Sequence, residues 1–552
     1  MVIISKIPTI DEPETGIVQF LFANKYKIPE NRPLLIDSLD TNRFLTFAQI
    51  KKLTLQFAAG LQDICKFGKG DVLAIFSPNQ YDFFIPVYGA VAASGITTTV
   101  NPTYNIEELH YQLSQTKAKV LICHEDNIKV ALAAGSQAGL NKTNIFVFGD
   151  KMVDNIHPFQ SVLIGEREAV LEDLTSEQCK ETIALLCFSS GTSGRSKGVM
   201  TTYFSHANLT SNITQYAAFD KNVFNSKESN RMLTVLPFYH SFGLLVNLNY
   251  GLHFGTPNYV LKRFDIFSFC KAVQDHKITF TTVVPPICLS IAKHDIVPNY
   301  DLTSLKSAYS GAAPLGPELW KETMSRLPNL KLRQLYGLTE TSPVAMIQPE
   351  NKMLPGSAGL LFPNMTAKIV DDDGNEVTKY GERGELLIKG PNIMKGYLNN
   401  PEASAESIDS DGYFHTGDIV LINEEEHFFI VDRKKELIKY KGFPVAPAEI
   451  ESVLLSNPII ADCAVIGVYD NTQATEIIRA YVTLKDQSTA SEEVGKSIMK
   501  FVAEKVVHYK QVRKIYFVAE IPRNPSGKIL RRLLRDIAQL EIKKEDINKS
   551  KL

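Results

Sequence analysis

The chain has 552 residues, 44% of them apolar and 22% charged, with a formal net charge of −2. That length exceeds one hydrophobic core, and the near-neutral balance excludes a global electrostatic pull toward nucleic acid or anionic membrane. The seven scattered cysteines form no Cys-x-x-Cys pair, which excludes a zinc-ribbon pattern or a disulfide framework and suits a reducing compartment.

In chain order, residues 1–16 lack a basic segment followed by an apolar one, so no secretory signal is expected. Residues 47–64 carry Ile50, Leu53, Phe57 and Leu61 at helical spacing. Short apolar strands are expected at residues 72–76, 120–123 and 145–148, with a helix at 104–116. The stretch 85–100 comes nearest to a membrane span, but Gly, Ser and Thr interrupt it, and no transmembrane segment is expected. Residues 183–188 read as a buried strand. The alternation resumes with a strand at 233–236, a helix at 267–276 and a strand at 280–284, which Pro285-Pro286 end. Alternating strands and helices imply parallel sheets covered by helices. From about Ala367 strands shorten and turns crowd in, which points to a β-rich subdomain. The charged stretch 432–442 is a candidate boundary. A compact α+β unit follows, with a helix in 445–455 that opens after Pro447, helices at 495–507 and 529–540 and strands at 464–468 and 478–484.

The most informative stretch is Ser189-Ser190-Gly191-Thr192-Ser193-Gly194-Arg195-Ser196-Lys197-Gly198. Glycines that let backbone N–H groups turn inward, hydroxyl donors and one lysine, with no acidic side chain, make a loop suited to phosphates. The spacing Gly191-x-x-Gly194-x-x-Lys197-Gly198 is not that of a Walker A loop, and Gly198-Val199-Met200 after the lysine starts a helix poorly. Four more segments bear on it. Gln334-Leu335-Tyr336-Gly337-Leu338-Thr339-Glu340-Thr341 sets a hydroxyl beside a carboxylate suited to Mg²⁺. Tyr413-Phe414-His415-Thr416-Gly417-Asp418 puts an acid in a turn, suited to ribose hydroxyls. Pro237-Phe238-Tyr239-His240-Ser241 sets one histidine among aromatics, and Pro522-Arg523-Asn524-Pro525-Ser526-Gly527-Lys528 presents one lysine on a rigid turn. Taken singly each has a plainer reading: a helix-start glutamate, ordinary turn chemistry, a core histidine, a solvated loop lysine.

Taken together, in this order and spacing, they resemble the adenylate-forming superfamily from about Pro33 to Leu534. The likeness is greatest to 4-coumarate–CoA ligases, related peroxisomal acyl-CoA synthetases and firefly luciferases, and it is dense at Phe428-Phe429-Ile430-Val431-Asp432-Arg433 and Leu437-Ile438-Lys439-Tyr440-Lys441-Gly442-Phe443. The resemblance implies a large N-terminal adenylation domain, residues 1–432, of helix-covered sheets plus the β-rich subdomain. It also implies a small, mobile α+β C-terminal domain, residues 433–552, with a hinge at about 432–435. It further implies an acid–CoA ligase that uses ATP, Mg²⁺ and CoA on a fatty or aryl-propenoic acid. A luciferase-like oxygenase on the same scaffold, or a non-catalytic nucleotide-binding relative, stands as the alternative. No carrier domain follows Lys528, which favours a free thiol as acceptor.

The residue roles that the resemblance implies follow. Ser189, Ser190, Gly191, Thr192, Ser193 and Lys197 hold the β- and γ-phosphates. Ala312 lines the adenine and acyl sites, with Gln334, Tyr336 and Gly337 flanking them. Thr339 contacts the α-phosphate and Glu340 the metal. Asp418, helped by Arg433, binds ribose. His240 orients the carboxylate. Lys528 bridges the carboxylate and the α-phosphate in the first step. Lys435 and Lys439 face the adenylate in the second, while Lys441 and Gly442 contact CoA. Three departures stand out. Ser196 replaces the usual proline before Lys197. Pro444 replaces the usual glutamine, which removes a side-chain donor and an N–H. Leu335 and Val246, with Phe242, make the acyl wall bulkier and more apolar. The C-terminal Ser550-Lys551-Leu552 has the form of a peroxisomal address read by an import receptor.

Overall fold

The computed structural model of the chain describes residues 2–13, 15–189, 196–202, 230–441, 443–470, 473, 475–524 and 527–549. Ser190, Gly191, Thr192, Ser193, Gly442 and Ser550-Lys551-Leu552 therefore lie outside the described residues.

Among the described residues the large unit holds three sheets. In the seven-stranded one, Val72–Phe76 runs parallel to Ile96–Val100 and Val120–Cys123, and Ile96–Val100 runs parallel to Ile183–Ser189. Val72–Phe76 and Val120–Cys123 are buried at every position, as strands covered on both faces must be. The nine-stranded sheet is parallel through Met232–Thr234, Phe280–Val283, Ser307–Ser310 and Lys331–Tyr336. The five-stranded sheet, Ile3–Ile4 through Phe428–Arg433, is antiparallel throughout, and it is the expected β-rich subdomain.

Capping boxes open the covering helices. Thr46 and Gln49 open Phe47–Ile64, and Asn105 and Glu108 open Ile106–Thr116. The stretch that came nearest to a membrane span is a buried helix, Phe84–Ala92, followed by the strand Ile96–Val100. Among the described residues no helix is long and apolar enough to cross a membrane. Pro285-Pro286 do more than end a strand. Pro285 opens the helix Pro285–Lys293, because proline at the first helical position costs no hydrogen bond.

A separate hydrophobic core begins at Ile438 and runs to Ala538. It lies among the strands Ile460–Asp470, Thr475–Leu484 and Lys514–Phe517 and the helices Pro447–Leu455 and Glu492–Ala503. The last helix, Arg531–Lys549, starts later and runs longer than its sequence pattern indicates.

Candidate active site

The segments that carry Ser189, His240, Ala312 and Glu340 lie at or beyond the carboxyl ends of strands that have parallel neighbours in the two large sheets. In open α/β sheets that edge is the ligand-binding one. They converge with the small unit on a cleft of about 1680 Å³. Ser189, Lys197, His240, Ala312, Gly337, Thr339, Glu340, Arg433, Lys435 and Lys528 all line it.

Ser189 and Lys197 are directly opposed in the antiparallel pair that brackets the phosphate-loop sequence. The Ser196 carbonyl accepts from the Tyr111 hydroxyl at 3.3 Å, so the serine that replaces proline is anchored. Across the cleft, Glu340 Oε1 accepts from Ser189 Oγ at 3.0 Å and from the Tyr397 hydroxyl at 2.9 Å. The Lys197 ammonium lies 4.8 Å over the Tyr397 ring centre, a cation–π distance. Tyr397 thus couples the lysine to the carboxylate. Sequence reasoning missed it, and its signal was an aromatic following Lys395-Gly396.

The segment that bears Thr339 and Glu340 is fixed by a close backbone approach. A Cβ at Gly337 would lie 1.7 Å from the Pro343 carbonyl oxygen, so only glycine fits there. Thr339 Oγ1 lies 3.3 Å from Ser241 Oγ, which links this segment to the His240 loop. His240 is half-buried in the cleft wall. Burial, and the positive charge of Lys528, hold its pKa down to about 4. Its Nδ1 accepts from the Phe242 amide at 3.3 Å, so the neutral ring carries its proton on Nε2.

Asp418 and Arg433 are register partners on adjacent strands. Arg433 Nε lies 3.3 Å from Asp418 Oδ1, and the Tyr336 hydroxyl donates to Oδ2 at 2.6 Å. Burial pushes the Asp418 carboxyl up, against the opposing pull of Arg433 and Tyr336. Tyr336 and Asp418 do not line the cleft. They form a buried strut behind Arg433 that joins the nine-stranded sheet to the five-stranded one.

Gln334 also stands behind the wall. Its Oε1 accepts from the Leu315 amide at 2.6 Å, and its Nε2 donates to the Ser357 carbonyl at 2.9 Å, so both ends of the amide are engaged in the fold. Ala312 lines the cleft with a left-handed backbone (φ +67°), an outlier for a non-glycine residue. At its neighbour Gly311 a Cβ would meet Leu335 Cδ1 at 2.6 Å and Phe242 Cε1 at 2.9 Å. Leu335 and Phe242 both line the cleft and give it an apolar stretch of wall beside Gly311. Val246, expected on that wall, is buried and does not line the cleft.

Lys528 reaches in from the small unit on a turn held by its own residues. Its amide donates to Asn524 Oδ1 at 2.8 Å, and the Gly527 carbonyl accepts from Arg523 Nη1 at 2.9 Å. A Cβ at Gly527 would lie 3.2 Å from Pro286 and from Val284, so the turn is seated on the large unit. Burial and the Arg433 guanidinium lower the Lys528 pKa to about 8, against the opposing pull of Glu436 and Asp418.

Lys439 and Lys441 are elsewhere. They are exposed on a hairpin, Ile438–Tyr440 with Phe443–Val445, and do not line the cleft. The Lys439 amide donates to Glu476 Oε2 and the Lys441 amide to Thr475 Oγ1, each at 2.6 Å. Pro444 pairs with Lys439, whose amide donates to Glu476 and whose carbonyl accepts from Thr475 Oγ1 at 2.9 Å. Both backbone groups of Lys439 are thus engaged away from Pro444, so the missing N–H costs the ladder nothing.

Among the described residues no three His, Cys, Asp or Glu side chains gather as a metal cage. Glu340 alone, close to Ser189 and Lys197, fits a magnesium ion that arrives on phosphates, since Mg²⁺ takes one or two carboxylates beside substrate oxygens.

Residues 22–398 match the family model described as AMP-binding enzyme, and residues 449–528 match that of the AMP-binding enzyme C-terminal domain. The chain is 36% identical over 540 residues to 4-coumarate–CoA ligase 1 of Petroselinum crispum, which covers 96% of each chain. Its fold is similar to that of the anthranilate CoA ligase AuaEII in complex with anthranoyl-AMP, with a TM-score of 0.85, 24% identity and coverage of 96% and 98%. It is also similar to that of a benzoate CoA ligase from Burkholderia xenovorans LB400, with a TM-score of 0.81, 20% identity and coverage of 94% and 99%.

Proposed function

The chain belongs to the family of AMP-binding enzymes, and from that premise we propose that it is an ATP-dependent acid–CoA ligase. The observation that carries this reading is the convergence of Lys197, His240, Arg433 and Lys528 on one cleft.

In the first step a carboxylate oxygen attacks the α-phosphorus of ATP. The bond to the β-phosphate breaks and pyrophosphate leaves. Negative charge gathers at the α-phosphate, and positioned cations and donors meet it. Lys528 supplies the ammonium that bridges carboxylate and phosphate, and the Thr339 hydroxyl donates to a phosphate oxygen. His240, neutral with its proton on Nε2, orients the carboxylate without adding charge. Ser189 and Lys197, with Ser190, Gly191, Thr192 and Ser193, hold the outer phosphates. Glu340 would hold a magnesium ion that arrives with them, and that ion would screen the negative charge of the outer phosphates. Arg433 faces the ribose, with Asp418 and Tyr336 setting its position. Ala312 and Gly337 flank the adenine, and Gln334 keeps that wall in place.

In the second step the CoA sulfur attacks the acyl carbon and the C–O bond to AMP breaks. Of the residues assigned to this step, Lys435 lines the cleft, whereas Lys439 and Lys441 lie on the hairpin outside it. A rotation of residues 433–552 about 432–435, past the cleft-lining Lys435, exchanges Lys528 for that hairpin.

Leu335 and Phe242 on the cleft wall support an acid with an apolar tail. The test supplies Mg·ATP, CoA and a panel of fatty and aryl-propenoic acids and follows AMP. Release that needs both acid and CoA is expected. No release with any acid overturns the reading. Ser550-Lys551-Leu552 supports a peroxisomal destination through its import receptor, which a fluorescent fusion with and without those residues tests.

A further inference from the structure

The helix Pro447–Leu455 belongs to the small unit, yet both of its ends are held by the large one. Its N-cap residue, Ala446, has no polar side chain to satisfy the free amides. Asp432, on the last segment of the five-stranded sheet, does this instead. Its Oδ2 accepts from the Ala448 amide at 3.0 Å, while its Oδ1 accepts from the Arg433 amide at 2.7 Å. At the other end Lys293, last residue of the helix Pro285–Lys293, donates to the Leu455 carbonyl at 3.2 Å. A carboxylate at the amino end and an ammonium at the carboxyl end both match the helix dipole. Between them the large unit comes close: a Cβ at Gly316 would lie 2.8 Å from Ser452 Oγ.

The same helix leads to Lys528. Ile450 and Leu454 fix it in the small core. Glu451, between them, receives Arg531 Nη2 at 2.7 and 2.9 Å on its two oxygens, and Arg531 Nη1 reaches Glu436 at 3.1 Å. Arg531 follows Lys528 by three residues. The helix held at both ends is thus tied by its Glu451 to Arg531, three residues along the chain from the lysine in the cleft.

We propose that Asp432 and Lys293 are positioning residues that clamp the helix Pro447–Leu455 to the large unit and, through Glu451 and Arg531, hold Lys528 in the cleft. Neither residue lines the cleft. The clamp favours the arrangement that makes the acyl-adenylate and opens for the one that consumes it. Only that assignment of purpose rests on the reaction proposed above; the clamp itself is a property of the free protein.

The seven native cysteines are all buried, so dyes placed on cysteines at exposed Lys142 and Lys496 report the distance between the units in the full chain. Lys293→Met or Asp432→Ala shifts the population out of the closed arrangement by roughly fivefold, the factor that corresponds to one helix-end contact. Asp432→Asn, whose amide oxygen still accepts from Ala448, restores most of it. Pyrophosphate exchange falls with the closed population, while thioester formation from pre-made acyl-adenylate does not fall. An unchanged distance distribution in the folded double variant Lys293→Met/Asp432→Ala overturns the proposal, and so does equal loss of both half-reactions. A distance shift in a protein that ligates no acid refutes the reaction and upholds the clamp.

Discussion

Lys528 is held at a cost that the structure lets us size. Burial and the Arg433 guanidinium bring its pKa from an ordinary 10.5 to about 8. At roughly 1.4 kcal/mol per unit, the free protein destabilises this ammonium by about 3 kcal/mol, which a bound triphosphate and carboxylate relieve. The proton is lost as pH rises through about 8, so the charged form is nearly complete a unit or more below that value and falls tenfold per unit well above it. Adenylation measured as kcat/KM reports the free protein and declines on this alkaline limb. The kcat limb lies at higher pH, because bound anions favour the charged lysine. Lys528→Ala lowers adenylation by about a hundredfold to a thousandfold, the usual loss for one positioned group that meets developing charge, and the limb disappears. Exchange of labelled pyrophosphate into ATP across pH measures this step. Thioester formation from pre-made acyl-adenylate measures the other, which should keep its rate and lack the limb. An alkaline limb that persists in Lys528→Ala, or equal loss in both assays, refutes the reasoning.

Three further outcomes follow from named contacts. Gly337→Ala places a Cβ where the Pro343 carbonyl oxygen stands, 1.7 Å away, and should cost about 3 kcal/mol or more; an unfolding midpoint equal to that of the parent contradicts this. Tyr397→Phe keeps the ring beneath Lys197 but removes one donor from Glu340, which should raise the Mg²⁺ concentration for half-maximal adenylation several-fold and leave the KM for acid unchanged. Leu335→Ala opens the apolar stretch of cleft wall beside Gly311 and should lengthen the preferred acyl chain by about two carbons, at roughly 0.8 kcal/mol per methylene; an unmoved optimum refutes that placement.

Periodicity located the elements whose burial is one-sided or complete. Residues 47–64 are a helix over the span that their spacing predicts, and the strands at 72–76 and 120–123 lie where apolar runs put them. Boundaries set by tertiary packing were less legible. Residues 464–468 are only the middle of the strand Ile460–Asp470, and the helix at 492–503 begins three residues before its expected start, at a Ser491 cap. Pro285-Pro286 read as a stop because proline ends a strand, and the same residue type also begins a helix.

At the site, motifs carried the residues that touch the cleft, because each motif packs its chemistry into one loop. The supports join residues far apart in the chain, and that pairing leaves no local pattern. Tyr397, outside every motif, meets Glu340 across 57 positions, and Tyr336 and Asp418, each within a motif, meet each other across 82. Gln334 stands in a motif beside cleft residues, but strand alternation turns it away from the cleft, into the fold.

The central claim is that an acid becomes reactive by joining its own oxygen to the α-phosphorus of ATP in this cleft. The most direct measurement uses an acid isotopically labelled in both carboxylate oxygens, with Mg·ATP and CoA, and weighs the products by mass spectrometry. The account predicts one labelled oxygen in AMP, none in pyrophosphate and one in the acyl-CoA carbonyl. Label in pyrophosphate or inorganic phosphate, or unlabelled AMP beside acyl-CoA, would contradict it.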